Sequence, residues 1–233
     1  MTDTKIYFGC DELERGWEHY FTLCNAFEVV PPANPATRPT LKTLNSWRVK
    51  SPRGFCFVLH AEPAVVDAAV SAYERDDPTI GDALRAAWAE TEERAHALAA
   101  KAILLPTPPE FRPSTPSREF LRNVAEELAA ETSRRVIWEP SGLWDTTTSR
   151  DFAESIGLAY ALDPFIAEQE DVGFTHGDAC FRVTERAAMR RSFEAYEFER
   201  MLSMAEPYDR VFTLLSGRFK FRHLRELSQL VEH

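Results

Sequence analysis

The chain has 233 residues, 44% of them apolar and 27% charged, with 37 acidic side chains against 27 basic ones and a net charge of −10 at neutral pH. That apolar content excludes a disordered chain, and the acidic balance opposes general binding to a nucleic-acid backbone. No stretch approaches the roughly 18 consecutive apolar residues that cross a bilayer, and residues 1–5 place no basic stretch before an apolar run, so a cytoplasmic protein with no membrane partner is expected.

Apolar runs of strand length alternate with amphipathic stretches, the pattern of βαβ units around a parallel sheet. The first strand is expected over residues 5–9, followed by an aromatic-rich helix over 13–23 in which Trp17, Tyr20 and Phe21 have core spacing. A second strand over 26–30 ends at Pro31-Pro32, and a helix over 40–49 leads into a third strand over 55–60 that ends on His60. The next connection is longer, with a helix over 65–73 and an alanine-rich one over 79–99, for which Asp77-Pro78 reads as the cap.

A fourth strand over 102–105 precedes a proline-rich loop and a helix over 117–132 capped by Thr115-Pro116. The fifth strand covers 135–139, Thr148 or Ser149 caps the helix after it, and the sixth strand, over 158–162, stops at Asp163-Pro164. Strand seven over 179–183, a helix over 192–205, strand eight over 210–215 and a closing helix complete eight rounds. Eight βα rounds in this length predict an α/β fold, a (β/α)8 TIM-type barrel formed by residues 1–233 as a single domain. The four cysteines, Cys10, Cys24, Cys56 and Cys180, form no CxxC pair and are expected to be reduced thiols.

In such barrels the site lies at the C-terminal strand ends, where the βα loops converge. That rule selects Cys10 and Asp11 after strand one, Glu28 in strand two, and His60, Glu139, Asp163, Arg182 and Glu185 at or near later strand ends. Three chemistries fit. Glu28, His60, Glu139 and Asp163 are the ligand types that a divalent metal takes, which makes such a metal a candidate cofactor. Arg182, Arg186, Arg190 and Arg191 after strand seven, with Ser216, Gly217 and Arg218 opening the last helix, fit a small anionic or phosphorylated ligand.

For catalysis, Glu139 and Glu28 are the acid/base candidates, Asp163 an orienting group and His60 a proton carrier. Equally, these carboxylates pair with Arg182 and Arg186 and only satisfy a polar rim. Trp144, in a loop after Glu139, is placed as a ligand wall, whereas Trp138 alternates outward into helix packing. Cys10 lacks the signature of a cysteine hydrolase.

Ile6-Tyr-Phe-Gly9, Phe27-Glu28, Gly54-Phe-Cys-Phe57, Leu104-Leu-Pro-Thr-Pro-Pro109, Glu139 with Trp144, Asp163 and Phe181-Arg182 occur in an order that resembles the YecE-like family, domain of unknown function 72, over nearly the whole chain. The resemblance implies a barrel related to the metal-using sugar isomerase and endonuclease barrels, with no settled activity. The chain departs from the family pattern where residues 10–14 shorten a Gly-Trp-rich segment, where His60 replaces a lysine, and where Ser216-Gly217 replaces paired asparagines. Two readings of function follow. One is a metal- or acid/base-dependent hydrolase or isomerase acting on a phosphorylated sugar or nucleotide-like substrate. The other is a non-catalytic ligand- or partner-binding barrel, for which the acidic, alanine-rich helix is a docking surface.

Overall fold

Runs rich in β-branched and aromatic side chains form eight strands: β1 (Lys5–Gly9), β2 (Ala26–Val29), β3 (Cys56–His60), β4 (Ala102–Pro106), β5 (Arg135–Glu139), β6 (Ala159–Leu162), β7 (Asp178–Thr184) and β8 (Arg210–Ser216). The computed structural model describes residues 4–32, 34–166, 177–184 and 193–231. The sheet order is β1-β8-β7-β6-β5-β4-β3-β2, and the ladders from β1 through β8 round to β3 are parallel. Helices follow the strands: α1 (Trp17–Leu23), α2 (Leu41–Lys50), α3 (Pro63–Arg75), α4 (Asp82–Leu98), α5 (Thr115–Glu127), α6 (Thr146–Ser155), α7 (Ala195–Ala205) and α8 (Lys220–Val231). This is the (β/α)8 fold that the alternation predicts.

Several helix starts differ from expectation, each for a local reason. Asp77 does not cap α4: its carboxylate accepts the Thr79 N–H at 3.0 Å, closing a turn of its own, and α4 begins after Gly81. Ser114, rather than Thr115-Pro116, caps α5 by accepting the Ser117 N–H at 3.1 Å. Asp145 caps α6, and Thr148, expected as the cap, is the donor at 2.9 Å. Helix α5 also ends earlier, at Glu127, with a short 3-10 turn over Ala129–Glu131.

The described residues form two compact units, the first drawn from 1–28, 52–56 and 161–233, the second from 29–51 and 57–160. In the first, the registers Tyr7↔Phe212 and Cys180↔Phe212 place Tyr7, Phe212 and Cys180 on one face, and Tyr7 stacks on Phe212 with ring centroids 5.6 Å apart. One layer below on that face, Asp178 pairs with Arg210 at 2.5 Å; Arg182, one layer above, is in register with Leu214.

β1 and β2 are the two ends of the strand order, and side chains join them. The buried Tyr20 hydroxyl lies 2.8 Å from the Cys10 amide, which donates to it, and donates to the Ala26 carbonyl at 2.8 Å. Asn25 accepts the Phe8 N–H and donates to the Ile6 carbonyl, and the Glu28 N–H reaches the Cys10 carbonyl at 3.0 Å. Gly9 makes the approach possible: a Cβ there would sit 2.0 Å from the Ala26 oxygen and 2.7 Å from the Tyr20 hydroxyl. Trp17, Phe27 and Phe55 meet the Tyr20 ring and Phe21 packs on Trp17 and Phe55; of the three residues expected as core, Tyr20 is buried and Trp17 and Phe21 are half-buried.

In the second unit the registers His60↔Leu104, Leu104↔Ile137 and Pro106↔Glu139 put His60 and Glu139 on one face, with Trp138 on the other. Trp138 is fully buried and meets Phe152 of α6 edge-on, as expected of an outward, helix-packing position.

Candidate functional site

In the first unit, strand alternation brings Glu28 of β2 and Arg182 of β7 together across 154 residues of sequence, with Arg182 Nη1 2.6 Å from Glu28 Oε2. The Glu28 side chain is 1% exposed and the Arg182 side chain 17%, so the carboxylate is sealed and the guanidinium is the half of the pair that meets solvent. An unpaired carboxylate at that depth would cost several kcal/mol, which the nearby cation offsets.

Around them, Asp163 follows β6 and accepts the Phe165 N–H at 2.9 Å, which fixes the β6 exit turn. Ser216 ends β8, Gly217 turns with φ +98°, and exposed Arg218 lies over the Phe219 ring. The anion reading placed these residues at the opening of the last helix; α8 begins at Lys220, so Ser216 to Phe219 form the turn before it. The Lys220 ammonium contacts Asp11 and Glu12, each at 2.8 Å. Burial pulls its pKa down, but these two acceptors more than offset that and hold it above the ordinary lysine value. Glu185, Arg186, Arg190 and Arg191 lie outside the described residues.

Cys10 and Cys24 are buried beside Tyr20, and burial raises both thiols above the usual cysteine value. A thiol so held is a poor nucleophile, in keeping with the absence of a hydrolase signature.

In the second unit, His60 is 8% exposed at the end of β3, and half-buried Glu139 ends β5, its carbonyl accepting the Thr107 N–H at 2.8 Å. Trp144 is packed rather than open. Its indole N–H donates to the Phe111 carbonyl at 2.6 Å, its ring stacks on Phe111, and the Arg118 guanidinium lies 5.3 Å from its centroid. With 8% exposure it offers little face to a ligand and instead ties the proline-rich loop to the β5–α6 loop. Gly142 reinforces that tie: its φ is +82°, and a Cβ there would sit 2.9 Å from Pro109 Cα.

A second buried charge cluster follows β3. Glu62, 2% exposed, lies 2.5 Å from Arg38 of the β2–α2 loop and 2.9 Å from Arg94 of α4. Burial pushes the Glu62 carboxyl up from its ordinary value, against the opposing pull of Arg38 and Arg94. Sequence reasoning missed this cluster. Glu62, two residues past His60, sits where the strand-end rule points, but Arg38 and Arg94 carry no local signal.

The residue types of Glu28, His60, Glu139 and Asp163 suit a divalent metal; among the described residues no three His, Cys, Asp or Glu side chains are placed to hold a metal ion. No helix among them is long and apolar enough to cross a membrane.

No family model and no curated protein matches the chain. Solved structures do. A DUF72 family protein from Thermotoga maritima is similar at a TM-score of 0.71 and 13% identity, over 98% of this chain and 100% of that one. A DUF72 family protein from Enterococcus faecalis is similar at a TM-score of 0.66 and 12% identity, over the full length of both. A xylose isomerase domain containing protein from Salmonella typhimurium is similar at a TM-score of 0.55 and 11% identity, over 92% of this chain and 89% of that one. At such identities the likeness concerns the fold: the chain shares its (β/α)8 fold with DUF72 family proteins over nearly its whole length.

Proposed function

We infer that the chain is a (β/α)8 ligand-binding protein of the YecE-like type, whose site at the C-terminal ends of β7 and β8 takes a small anionic, phosphorylated ligand. One observation carries this reading: in the Glu28–Arg182 pair the cation is the solvent-facing member and the carboxylate is sealed. A ligand arriving at these strand ends therefore meets a guanidinium, whose planar fork suits phosphate and carboxylate oxygens. Glu28 then serves as a positioning residue that orients Arg182, rather than as an acid or base in contact with substrate. Ser216, Gly217 and Arg218 line the turn where this fold commonly holds phosphate.

The non-catalytic reading is favoured over the hydrolase or isomerase reading because Glu28 is neutralised in its pair and sealed from solvent at 1% exposure. Glu139, half-buried on the inner face of β5, remains the acid/base candidate if turnover is found. The test is a thermal-shift screen against phosphorylated sugars and nucleotides, with Arg182→Lys and Glu139→Gln beside the native chain. A ligand that raises the midpoint in the native protein, and less in Arg182→Lys, supports the reading. A response equal in both proteins removes Arg182 from the site, and product formation abolished by Glu139→Gln restores the enzyme reading.

A further inference from the structure

The Arg38–Glu62–Arg94 cluster holds two guanidinium groups against one buried carboxylate, and its hydrogen bonding does not close. Arg94 is 6% exposed, and its Nη1 donates to the Pro39 carbonyl at 3.2 Å, but Nη2 is buried with no acceptor among the described residues. Its Nε lies 2.9 Å from Glu62 Oε1 as an ion pair without hydrogen-bond alignment, which leaves that oxygen also without a hydrogen bond, and Arg38 Nε is buried with no acceptor among the described residues. The other carboxylate nearby, Glu90, is 4.0 Å from Arg38 and 53% exposed, so it screens the cluster only weakly.

Buried polar groups in folded proteins are almost always paired, and guanidinium donors left over beside a single carboxylate call for another acceptor. Arg38 and Glu62 lie on the loops that follow β2 and β3, the end of the fold where ligands bind. Arg38, whose side chain is 18% exposed against 2% for Glu62 and 7% for Arg94, is the solvent-facing member.

We propose that Arg38 and Arg94 form an oxyanion site in the second unit, which takes a phosphate or carboxylate group, with Glu62 as the resident counter-ion that the ligand competes against. The site is independent of Arg182. The ligand enters past Arg38, and its oxygens supply the acceptors that Arg94 Nη2 and Arg38 Nε lack.

The test uses the full-length chain carrying Arg182→Lys, so that the first-unit reading and this one fail separately. Thermal midpoints are followed against inorganic phosphate and, in a parallel arm, acetate, at constant ionic strength. A midpoint that rises with either anion is expected, phosphate alone assigning the site to phosphate esters and both assigning it to carboxylates as well. Glu62→Gln removes the competing charge at nearly constant volume and is expected to lower the apparent dissociation constant roughly threefold or more. Arg38→Gln, at the most exposed position of the three, is expected to abolish the response. No response to either anion, an unchanged response in Arg38→Gln, or weaker binding in Glu62→Gln overturns the proposal.

Discussion

Replacing Arg182 with Met keeps the length of the side chain and removes its charge, leaving Glu28 buried at 1% exposure without the guanidinium 2.6 Å away. Breaking a buried pair from one side costs about 3–5 kcal/mol. For a chain of this size each kcal/mol moves the midpoint by about 2–4 °C, so a fall of roughly 6–20 °C is expected. The companion variant Glu28→Leu with Arg182→Met removes both charges, and its stability should return towards native, because two apolar side chains replace two desolvated ions. Urea unfolding of the native chain, both single variants and the double variant gives the coupling energy directly. A loss under about 1 kcal/mol for Arg182→Met, or a double variant that falls by the sum of the singles, would refute the buried-pair argument.

Gly9→Ala forces a Cβ to within 2.0 Å of the Ala26 carbonyl oxygen, a backbone atom. The expected loss is about 3 kcal/mol or more, read by urea unfolding, and a near-native midpoint would show that β1 and β2 can part at no cost. Asp145 has its carboxyl held below the ordinary aspartate value, first by the Thr148 hydroxyl and then by the Thr148 N–H. A lowered folded-state pKa stabilises the fold above the unfolded value, and that contribution is lost as pH falls through the lowered one. Stability against pH for Asp145→Asn should therefore converge on the native curve at the acid end and separate above the ordinary aspartate range; parallel curves would deny the cap its charge.

The strands were legible because their apolar runs are bounded by breakers: the expected limits of β1 and β5 coincide with those observed. Caps were harder where capping types crowd together. Asp145, Thr146, Thr147, Thr148 and Ser149 all suit the role, and the selection is made from outside the segment, because the Trp144 indole is pinned to the Phe111 carbonyl and fixes where the chain turns. The charged residues at strand ends were legible by position, yet their pairing was not. Nothing local in the sequence tells Glu28 that its partner lies 154 residues away, or Glu62 that a helix will deliver Arg94.

The Tyr20 hydroxyl makes the meeting of β1 and β2 depend on a helix. Beside the Asn25 bridges and the Glu28–Cys10 backbone bond, one phenol carried by α1 bonds both the Cys10 amide and the Ala26 carbonyl, and Gly9 leaves it room. Undocking of α1 therefore loosens the meeting of these two strands, and hydrogen exchange at the Cys10 amide reports the opening of a helix to which that amide does not belong.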